Sequence, residues 1–389
     1  MKCKLTTLTP CHIGSGNILR RNIDFVIQGE EVGVISPQKI YAVLGDGGID
    51  KWCQAIDRGE NIWNVVKTQN RNAQLKDICS KVLCLNGDAS NELKEQITTN
   101  GRPYIPGSSL KGAIVSAIVE SAIQSGEDAL PILKASRRES TNRRTGETVV
   151  RYQDKVCDRL FIKPIISSKG EKYDVKYSNL RFLRVGDACF DGYALTAIDC
   201  YGLNLRTSKS IIDKSTRTLV ECINAEIDAE VDIQLMVEYH QECGNIVNPL
   251  PEAMQSEENL LNAINAHTLQ LLEAELVFWK EQENRAYYHI DTAEEQEELE
   301  DYYLDDIKSM IAECRACRSG EEAILRVGYG SGWRFMTGRW FCENSEMWED
   351  VVSVIRGNNR DKYRQYDFPK TRRVGLGTPF GFVKISKLG

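Results

Sequence analysis

Three short glycine-rich segments are the parts of this chain whose residue types and spacing best suit chemistry. They span residues 8–16, 328–333 and 374–382. Glycine has no Cβ atom, so it tolerates positive φ and lets backbone N–H groups approach an acceptor such as phosphate. Turns between strands use glycine for purely conformational reasons, so each segment taken alone predicts a turn at least as well as a binding site.

The glycine spacing excludes the common nucleotide-cofactor sites. A dinucleotide fingerprint needs three glycines between a strand and a helix, whereas Gly14-Ser15-Gly16 leads to arginines and another strand. The phosphate loop of NTPases ends in Gly-Lys-Ser/Thr, and residues 107–112 carry a lysine and hydroxyls in a different order. We therefore predict no cofactor.

Cations and aromatic residues near these segments favour a polynucleotide ligand. Cations and backbone N–H groups contact phosphates, and aromatic rings stack on unpaired bases. The predicted phosphate contacts are Arg20, Arg21, Lys111 and Arg334. The aromatic candidates are Trp333, Tyr329 and Phe380, each of which suits a buried core position as well.

The elements that must position these residues mix helices and strands without a βαβ repeat, which predicts an α+β fold. Residues 2–9 alternate as a half-buried strand, and Ser108 or Ser109 can cap a helix that carries Leu110 and Ile114. Further strands are predicted at 23–28 and 32–35 as a hairpin, at 180–186, 194–205, 218–225 and 230–238, and last at 381–385. Helices are predicted within 50–98 and 255–316 and near 345–355, and a basic insertion or hairpin at 136–159.

Length and composition predict a cytoplasmic protein of two domains. A chain of 389 residues exceeds the roughly 100–200 residues of one ordinary domain. No stretch reaches the roughly 18 apolar residues that span a membrane, and the N-terminus carries no apolar export segment. The 13 cysteines have unrelated spacings, so we expect reduced thiols, and Cys314 and Cys317 lack the further ligands of a zinc site.

Charge is segregated along the chain. The formal net charge of −7 argues against a free-standing nucleic-acid-binding protein, which is usually basic. Arginines and lysines nevertheless concentrate at 137–151 and 356–373, whereas residues 294–298 are acidic. Such blocks are often only solvated surfaces, but this pattern also permits one RNA-facing side.

Four motifs in order resemble one family. The segments LTPCHIGSG, YIPGSSLKGAI, RVGYGSGW and FPKTRR followed by GLGTPFGFVKI are similar to the RAMP superfamily of CRISPR effector subunits. Their order best matches the Csm subunit that caps the 3′ side of the guide RNA in type III-A complexes. The resemblance maps the family's first loop onto His12, Gly14, Ser15 and Gly16, its helix start onto Ser109, Leu110, Lys111 and Gly112, and its final glycine-rich loop onto Gly375, Gly377 and Gly381. We expect RNA contacts from these segments and from the adjacent Ser108.

The resemblance implies a ferredoxin-like, RRM-like core and a second related domain. The expected N-terminal domain covers 1–190, with a helical insertion at 50–98 and the basic insertion at 136–159; the C-terminal domain covers 191–389. The implied partners are CRISPR guide RNA, target RNA and other RAMP subunits, without a membrane. The implied role is non-catalytic: capping the guide and supporting its maturation, assembly and antiviral interference.

Two alternatives stay open. The chain could instead be a metal-independent endoribonuclease of the same superfamily that processes repeat RNA, with His12 as general acid or base, because histidine transfers protons near neutral pH. It could also be a terminal RAMP subunit of a type III-B complex, because those subunits have the same kinds of loop motif.

Overall fold

The structure is a computed structural model that describes most of the chain. The described residues are 1–123, 137–141, 146, 148–152, 156–168, 170–205, 210–285, 288–336 and 370–389. Their strands are β1 Lys2–Thr7, β2 Gly14–Arg20, β3 Phe25–Gln28, β4 Glu31–Ile35, β5 Cys79–Asn86, β6 Glu92–Gln96, β7 Thr98–Thr99, β8 Arg102–Ile105, β9 Arg137–Thr141, β10 Thr148–Tyr152, β11 Ile165–Ser167, β12 Gly170–Lys172, β13 Leu183–Val185, β14 Ala188–Cys189, β15 Leu195–Asn204, β16 Ile212–Ile223, β17 Asp228–Leu235, β18 Glu322–Arg326, β19 Thr371–Gly375, β20 Thr378–Pro379 and β21 Phe382–Lys387.

The helices of the described residues fall along the chain in three groups: three near the N-terminus, two in the middle, and the others in the second half. They are α1 Pro37–Leu44, α2 Gly48–Asp57, α3 Ile62–Gln69, α4 Gly107–Ala122, α5 Val156–Phe161, α6 Val237–Cys243, α7 Glu257–Asn284, α8 Ala293–Gln296, a π-helix Glu297–Leu304 and α9 Asp305–Ala316. Short 3-10 helices lie at Leu75–Asp77, Val175–Tyr177, Asn179–Phe182, Gly192–Ala194, Gly244–Ile246 and Glu252–Met254.

A five-stranded sheet has β1 at its centre. The strand order is β13-β17-β1-β21-β18, and β1 pairs antiparallel with both β17 and β21. Cys3 and Leu5 of β1 are buried, as the alternation in the sequence predicts. Helices α4 and α7 pack together beside this sheet, and their apolar residues, such as Ile114 and Ile264, join it in the main core.

A larger sheet presents the first glycine-rich segment. Among the described residues it has nine strands, in the order β2-β6-β16-β15-β5-β4-β3, with β19 added on β15 and β20 on β19. Leu93, Ala197 and Leu219 on one face of this sheet belong to the main core. Strand β2 lies at one edge of the sheet, and its exposed residues pair with β6.

Several sequence predictions are confirmed. The fold is α+β, and the predicted first strand, the early hairpin, the strands at 183–235, the helices within 255–316 and the C-terminal strand are all present. Within the predicted helical stretch 255–316, His267 is buried and contacts the buried Glu120. The π-helix inside the predicted helical stretch was not foreseen.

Three local predictions are wrong. The helical stretch predicted over 50–98 ends at α3, and β5 and β6 follow because their backbones pair with β4, β15 and β16. The segment 8–16, predicted as a turn, ends in β2, whose exposed residues show no apolar alternation. Helix α4 begins at Gly107 with Pro106 as its N-cap, so neither Ser108 nor Ser109 caps it.

The two sheets combine both halves of the chain. Strand β1 pairs with β17 and β21, and β5 and β6 pair with β15 and β16. The domain boundary between residues 190 and 191 stays a prediction, but each sheet contains strands from both sides of it.

The strands β9 and β10 of the predicted basic insertion form a hairpin, whereas the helix predicted near 345–355 lies outside the described residues. Within the described ranges, no helix combines the length and apolarity that crossing a membrane requires.

Candidate nucleic-acid interface

The three glycine-rich segments meet at one place. The Tyr329 N–H donates to the His12 carbonyl at 2.9 Å, and the Gly381 N–H donates to the Pro10 carbonyl at 2.9 Å. A Cβ atom at Gly328 would collide with the His12 carbonyl oxygen, and one at Gly381 with that of Val327. Glycine is therefore required at these two positions by the close approach of the loops to one another.

His12 is part of this contact and points inward. Its Nδ1 lies 2.7 Å from the Glu221 carbonyl oxygen, and its ring meets that of Tyr329 edge to face at 5.6 Å. Burial lowers the pKa of His12 to about 4, so the imidazole is neutral near pH 7 and Nδ1 donates to the carbonyl. This geometry suits a residue that shapes its loop better than a general acid or base, which needs access to a substrate.

The face of the nine-stranded sheet that points away from the main core is here called the outer face. The strand register places Ile18 of β2 opposite Lys94 of β6, and Lys94 beside Val220 of β16. Their neighbours in sequence pack into the main core on the other side. The outer face comprises Ile18, Arg20, Glu92, Lys94, Thr218, Val220, Ile198, Cys200, Arg373 and Gly375.

Tyr329 lies at the middle of the outer face. With Phe380 it covers a small apolar cluster that includes Cys200 and Val220. Phe380 is completely buried, whereas Tyr329 is half-buried. The Lys94 ammonium lies over the Tyr329 ring, 4.6 Å from its centroid.

Cations without an acidic partner surround Tyr329. In the part of the chain that the structure describes, no carboxylate lies within ion-pair distance of Arg20, Lys94 or Arg373. Arg373 donates to the Thr216 carbonyl at 3.1 Å, and Arg20 stands opposite Glu92 across β2 and β6. Because these cations are not neutralised by a paired carboxylate, the outer face offers positive charge to a polyanion.

The first glycine-rich segment runs into β2 at the edge of this sheet. Gly14, Ser15 and Gly16 are exposed in β2, and the Ser15 hydroxyl donates to the Glu95 carboxylate at 3.0 Å. Arg21 follows at the end of β2 and is half-buried. Of the predicted RNA-contacting residues, the structure thus brings Gly14 to Gly16, Arg20 and Arg21 to one edge of the sheet.

The predicted residues of helix α4 lie elsewhere. The Lys111 ammonium donates to the carbonyls of Leu180 and Leu183, at 2.6 Å each, and burial lowers its pKa. It therefore fastens residues 180–183 to the helix instead of presenting its charge freely. Ser108 is exposed, and Ser109 and Gly112 are half-buried on the same helix.

Arg334 belongs to a buried ionic cluster. Its Nη1 lies 2.8 Å from the Glu275 carboxylate. This carboxylate also accepts hydrogen bonds from Arg372 at 2.6 Å and from the Tyr303 hydroxyl at 2.8 Å. The guanidinium of Arg334 also covers the Phe278 ring at 4.8 Å. Trp333 is half-buried and packs against the main core. These contacts favour a structural role for both predicted residues.

The last glycine-rich segment rests on an acidic helix. Gly375 is buried against Phe380 and Ile198, and a Cβ atom at Gly377 would lie 2.8 Å from the Glu298 carboxylate. Gly377 has φ +81°, a conformation that favours glycine. The carboxylate beside Gly377 disfavours an anionic ligand on that side of the segment.

Sequence reasoning missed Lys94 and singled out Arg373 only as part of a basic stretch. Lys94 lies within 50–98, where the wrong helical prediction gave no sheet face on which to place it. If residues 92–96 had been predicted as a strand, Lys94 would have been placed on the face of the sheet away from the buried Leu93, because side chains alternate along a strand.

Two of three comparisons with known proteins find similarity to this chain. The sequence model described as the RAMP superfamily matches residues 4–334. No curated protein matches the sequence significantly. Among solved structures, T.onnurineus Csm5 is 19% identical with a TM-score of 0.65, covering 98% of this chain and 99% of its own. A chain of the cryo-EM Csm-crRNA-target RNA ternary complex of a type III-A CRISPR-Cas system is 21% identical with a TM-score of 0.71, covering 99% and 100%.

Proposed function

This chain belongs to the RAMP superfamily, and we propose that it is an RNA-binding subunit of a type III-A CRISPR effector complex. In this proposal it acts in the cytoplasm, caps the 3′ side of the guide RNA and supports guide maturation, assembly and antiviral interference. Its partners are guide RNA, target RNA and other RAMP subunits.

The observation that carries the proposal is the outer face. Arg20, Lys94 and Arg373 have no carboxylate within ion-pair distance among the described residues, and they flank the half-buried Tyr329. Positive charge binds phosphates whatever the base sequence, and an aromatic residue adds contact with unpaired bases. The full-length likeness to T.onnurineus Csm5 and to a chain of a Csm-crRNA-target RNA complex supports this particular assembly.

We further propose that the subunit is non-catalytic. The endoribonuclease alternative assigns proton transfer to His12, but its ring is buried, Nδ1 faces a backbone carbonyl, and its lowered pKa keeps it neutral. A general acid or base works best with a pKa near the operating pH and within reach of the reacting group.

Purification of the tagged chain from cells that carry its own CRISPR locus tests this function. The proposal predicts that guide RNAs and other Csm subunits copurify, and that deleting the chain changes the 3′ ends of the guides. Copurification with type III-B subunits would favour that alternative. Recovery of the chain without guide RNA or RAMP subunits would contradict both assignments.

Incubation of repeat RNA with the purified chain in chelator tests the non-catalytic proposal. We expect no specific cleavage by the wild type. Cleavage that His12→Ala abolishes, with the fold retained, would establish the endoribonuclease alternative instead.

A further inference from the structure

We propose that Tyr329 and Lys94 form a seat for one unpaired RNA nucleotide, with the base stacked on the phenol ring and the ammonium on the adjacent phosphate. The inference rests on the proposed function and specifies where on the outer face the RNA is held. It requires Lys94 to leave the Tyr329 ring as the base arrives.

The exchange gives up the lysine contact on the ring and gains two contacts, a stacked base and an ammonium–phosphate pair. Lys94 is half-buried and also donates to the Tyr329 hydroxyl at 3.5 Å, and a cation over an aromatic ring contributes roughly a 2- to 30-fold factor to an equilibrium constant. A stacked base contributes roughly a 5- to 150-fold factor. The Lys94 side chain is also a flexible four-carbon stem, so its ammonium can move without a change in the backbone.

Tyr329 itself is held in place. Its backbone N–H donates to the His12 carbonyl at 2.9 Å, and its ring meets the rings of His12 and Phe380. His12 and Phe380 are both buried, so the ring has a rigid support. A preorganised aromatic ring loses little conformational entropy when a base stacks on it.

The surroundings of the seat suit a single strand that crosses the sheet. Arg373 on β19 and Arg20 on β2 lie on opposite sides of Tyr329, separated by four strand spacings of about 4.8 Å, or roughly 19 Å. Ile18, opposite Lys94, is 54% exposed and adds apolar surface for a base or sugar. Cations at both ends and an aromatic between them can follow a phosphate backbone while one base stacks.

Binding of a fluorescein-labelled single-stranded oligouridine to the purified full-length chain tests the seat, measured by anisotropy over a range of salt concentrations. Tyr329→Ala is expected to weaken binding roughly 5- to 150-fold without changing the salt dependence. Tyr329→Phe keeps the ring and should bind as the wild type does. Lys94→Met keeps an apolar stem but loses the charge. It should make the plot of log binding constant against log salt less steep, by about 0.7 in the magnitude of its slope.

Matched controls separate these effects from general damage. Tyr193→Ala removes a tyrosine that is 81% exposed, and Lys308→Met removes an exposed lysine of α9; both should bind as the wild type does. Thermal unfolding of each variant shows whether it is folded. Should Tyr329→Ala fail to fold, Tyr329→Leu takes its place, because leucine keeps an apolar side chain against Phe380 without a ring.

The outcomes distinguish the seat from the proposed function. Wild-type binding that is unchanged in Tyr329→Ala and Lys94→Met would overturn the seat and leave RNA binding intact. Binding that depends on Lys94 but is the same with and without an aromatic ring at position 329 would mean that charge alone holds the RNA, and would also overturn the seat. A wild-type chain that neither binds RNA nor copurifies with guides would refute the proposed function itself.

Discussion

At the residue scale, the histidine and glycines that first suggest chemistry largely serve the contact between loops. His12 binds the Glu221 carbonyl, and Gly328 and Gly381 allow backbone to approach backbone. The residues that offer positive charge to a ligand are the cations of the outer face, such as the exposed Arg20 and the half-buried Lys94. The buried candidate residues therefore build the loops, and the cations of the outer face are the ones that can contact RNA.

Burial of His12 makes part of the stability of the fold depend on pH. Because its pKa is lowered to about 4 in the folded chain from about 6.5 in the unfolded chain, the unfolded state binds a proton first as the pH falls. The contribution of His12 is therefore full above about pH 6.5 and is lost progressively towards about pH 4, by up to about 3 kcal/mol. Urea unfolding of the wild type and His12→Asn at several pH values measures it.

Asparagine keeps a donor for the Glu221 carbonyl but does not titrate in this range. The difference in unfolding free energy between the two proteins should therefore shrink as the pH falls from about 6.5. A difference that stays constant down to about pH 4.5 would mean that His12 is not a buried neutral imidazole.

Glu275 is the residue on which the buried ionic cluster depends. Burial alone would raise its pKa, but Arg372 and Arg334 hold the pKa well below its usual range, so it is ionised in the fold. Glu275→Gln should lower the free energy of unfolding by about 3–5 kcal/mol, because it leaves buried guanidinium groups without their carboxylate. Glu273→Gln on the same helix breaks only an exposed pair with Arg315, and should cost at most about 1 kcal/mol. Similar losses for both variants in chemical denaturation would contradict this assignment.

At the scale of elements, the sequence predicted those strands and helices whose apolar residues recur at the spacing of a strand or a helix. The alternation in residues 2–9 and the apolar stripe in 255–316 correspond to β1 and to helices α7 to α9. Strands β2, β5 and β6 were missed because their positions depend on long-range pairing, for example of β6 with β16. Since the outer face is built from these pairings, the sequence alone could not assemble Lys94, Tyr329 and Arg373.

Helix α4 offers a matched pair of glycines. A Cβ atom at Gly107 would collide with the Val185 carbonyl oxygen and lie 2.7 Å from that of Gly186, whereas nothing stands within 4 Å of one at Gly112. Gly107→Ala should therefore destabilise the fold by about 1–3 kcal/mol, the usual cost of overpacking. Gly112→Ala should stabilise it by up to about 1 kcal/mol, since alanine favours a helix interior. Thermal unfolding of both variants checks the pair, and two changes of the same sign would contradict the packing described at the start of α4.

At the scale of the whole molecule, the negative net charge and the proposed RNA binding are compatible because charge is segregated. The acidic stretch predicted at 294–298 lies in α8 and the π-helix, where Glu298 supports the last glycine-rich segment. The outer face carries Arg20, Lys94 and Arg373 instead. The sequence predicted this segregation from its charge runs, but the sheet topology was needed to show that Arg20, Lys94 and Arg373 share one face.

The most direct test is to assemble the effector complex in cells with charge reversals on the outer face and to sequence the copurifying guide RNA. We predict that Arg20→Glu, Lys94→Glu and Arg373→Glu together remove the subunit from guide-bearing complexes or change the 3′ ends of the guides. A control with Lys4→Glu, Lys308→Glu and Arg315→Glu changes the net charge equally on other exposed surfaces and should behave as the wild type does. Unchanged assembly and guide ends in the outer-face variant, with its fold intact, would contradict the claim that this face binds the guide.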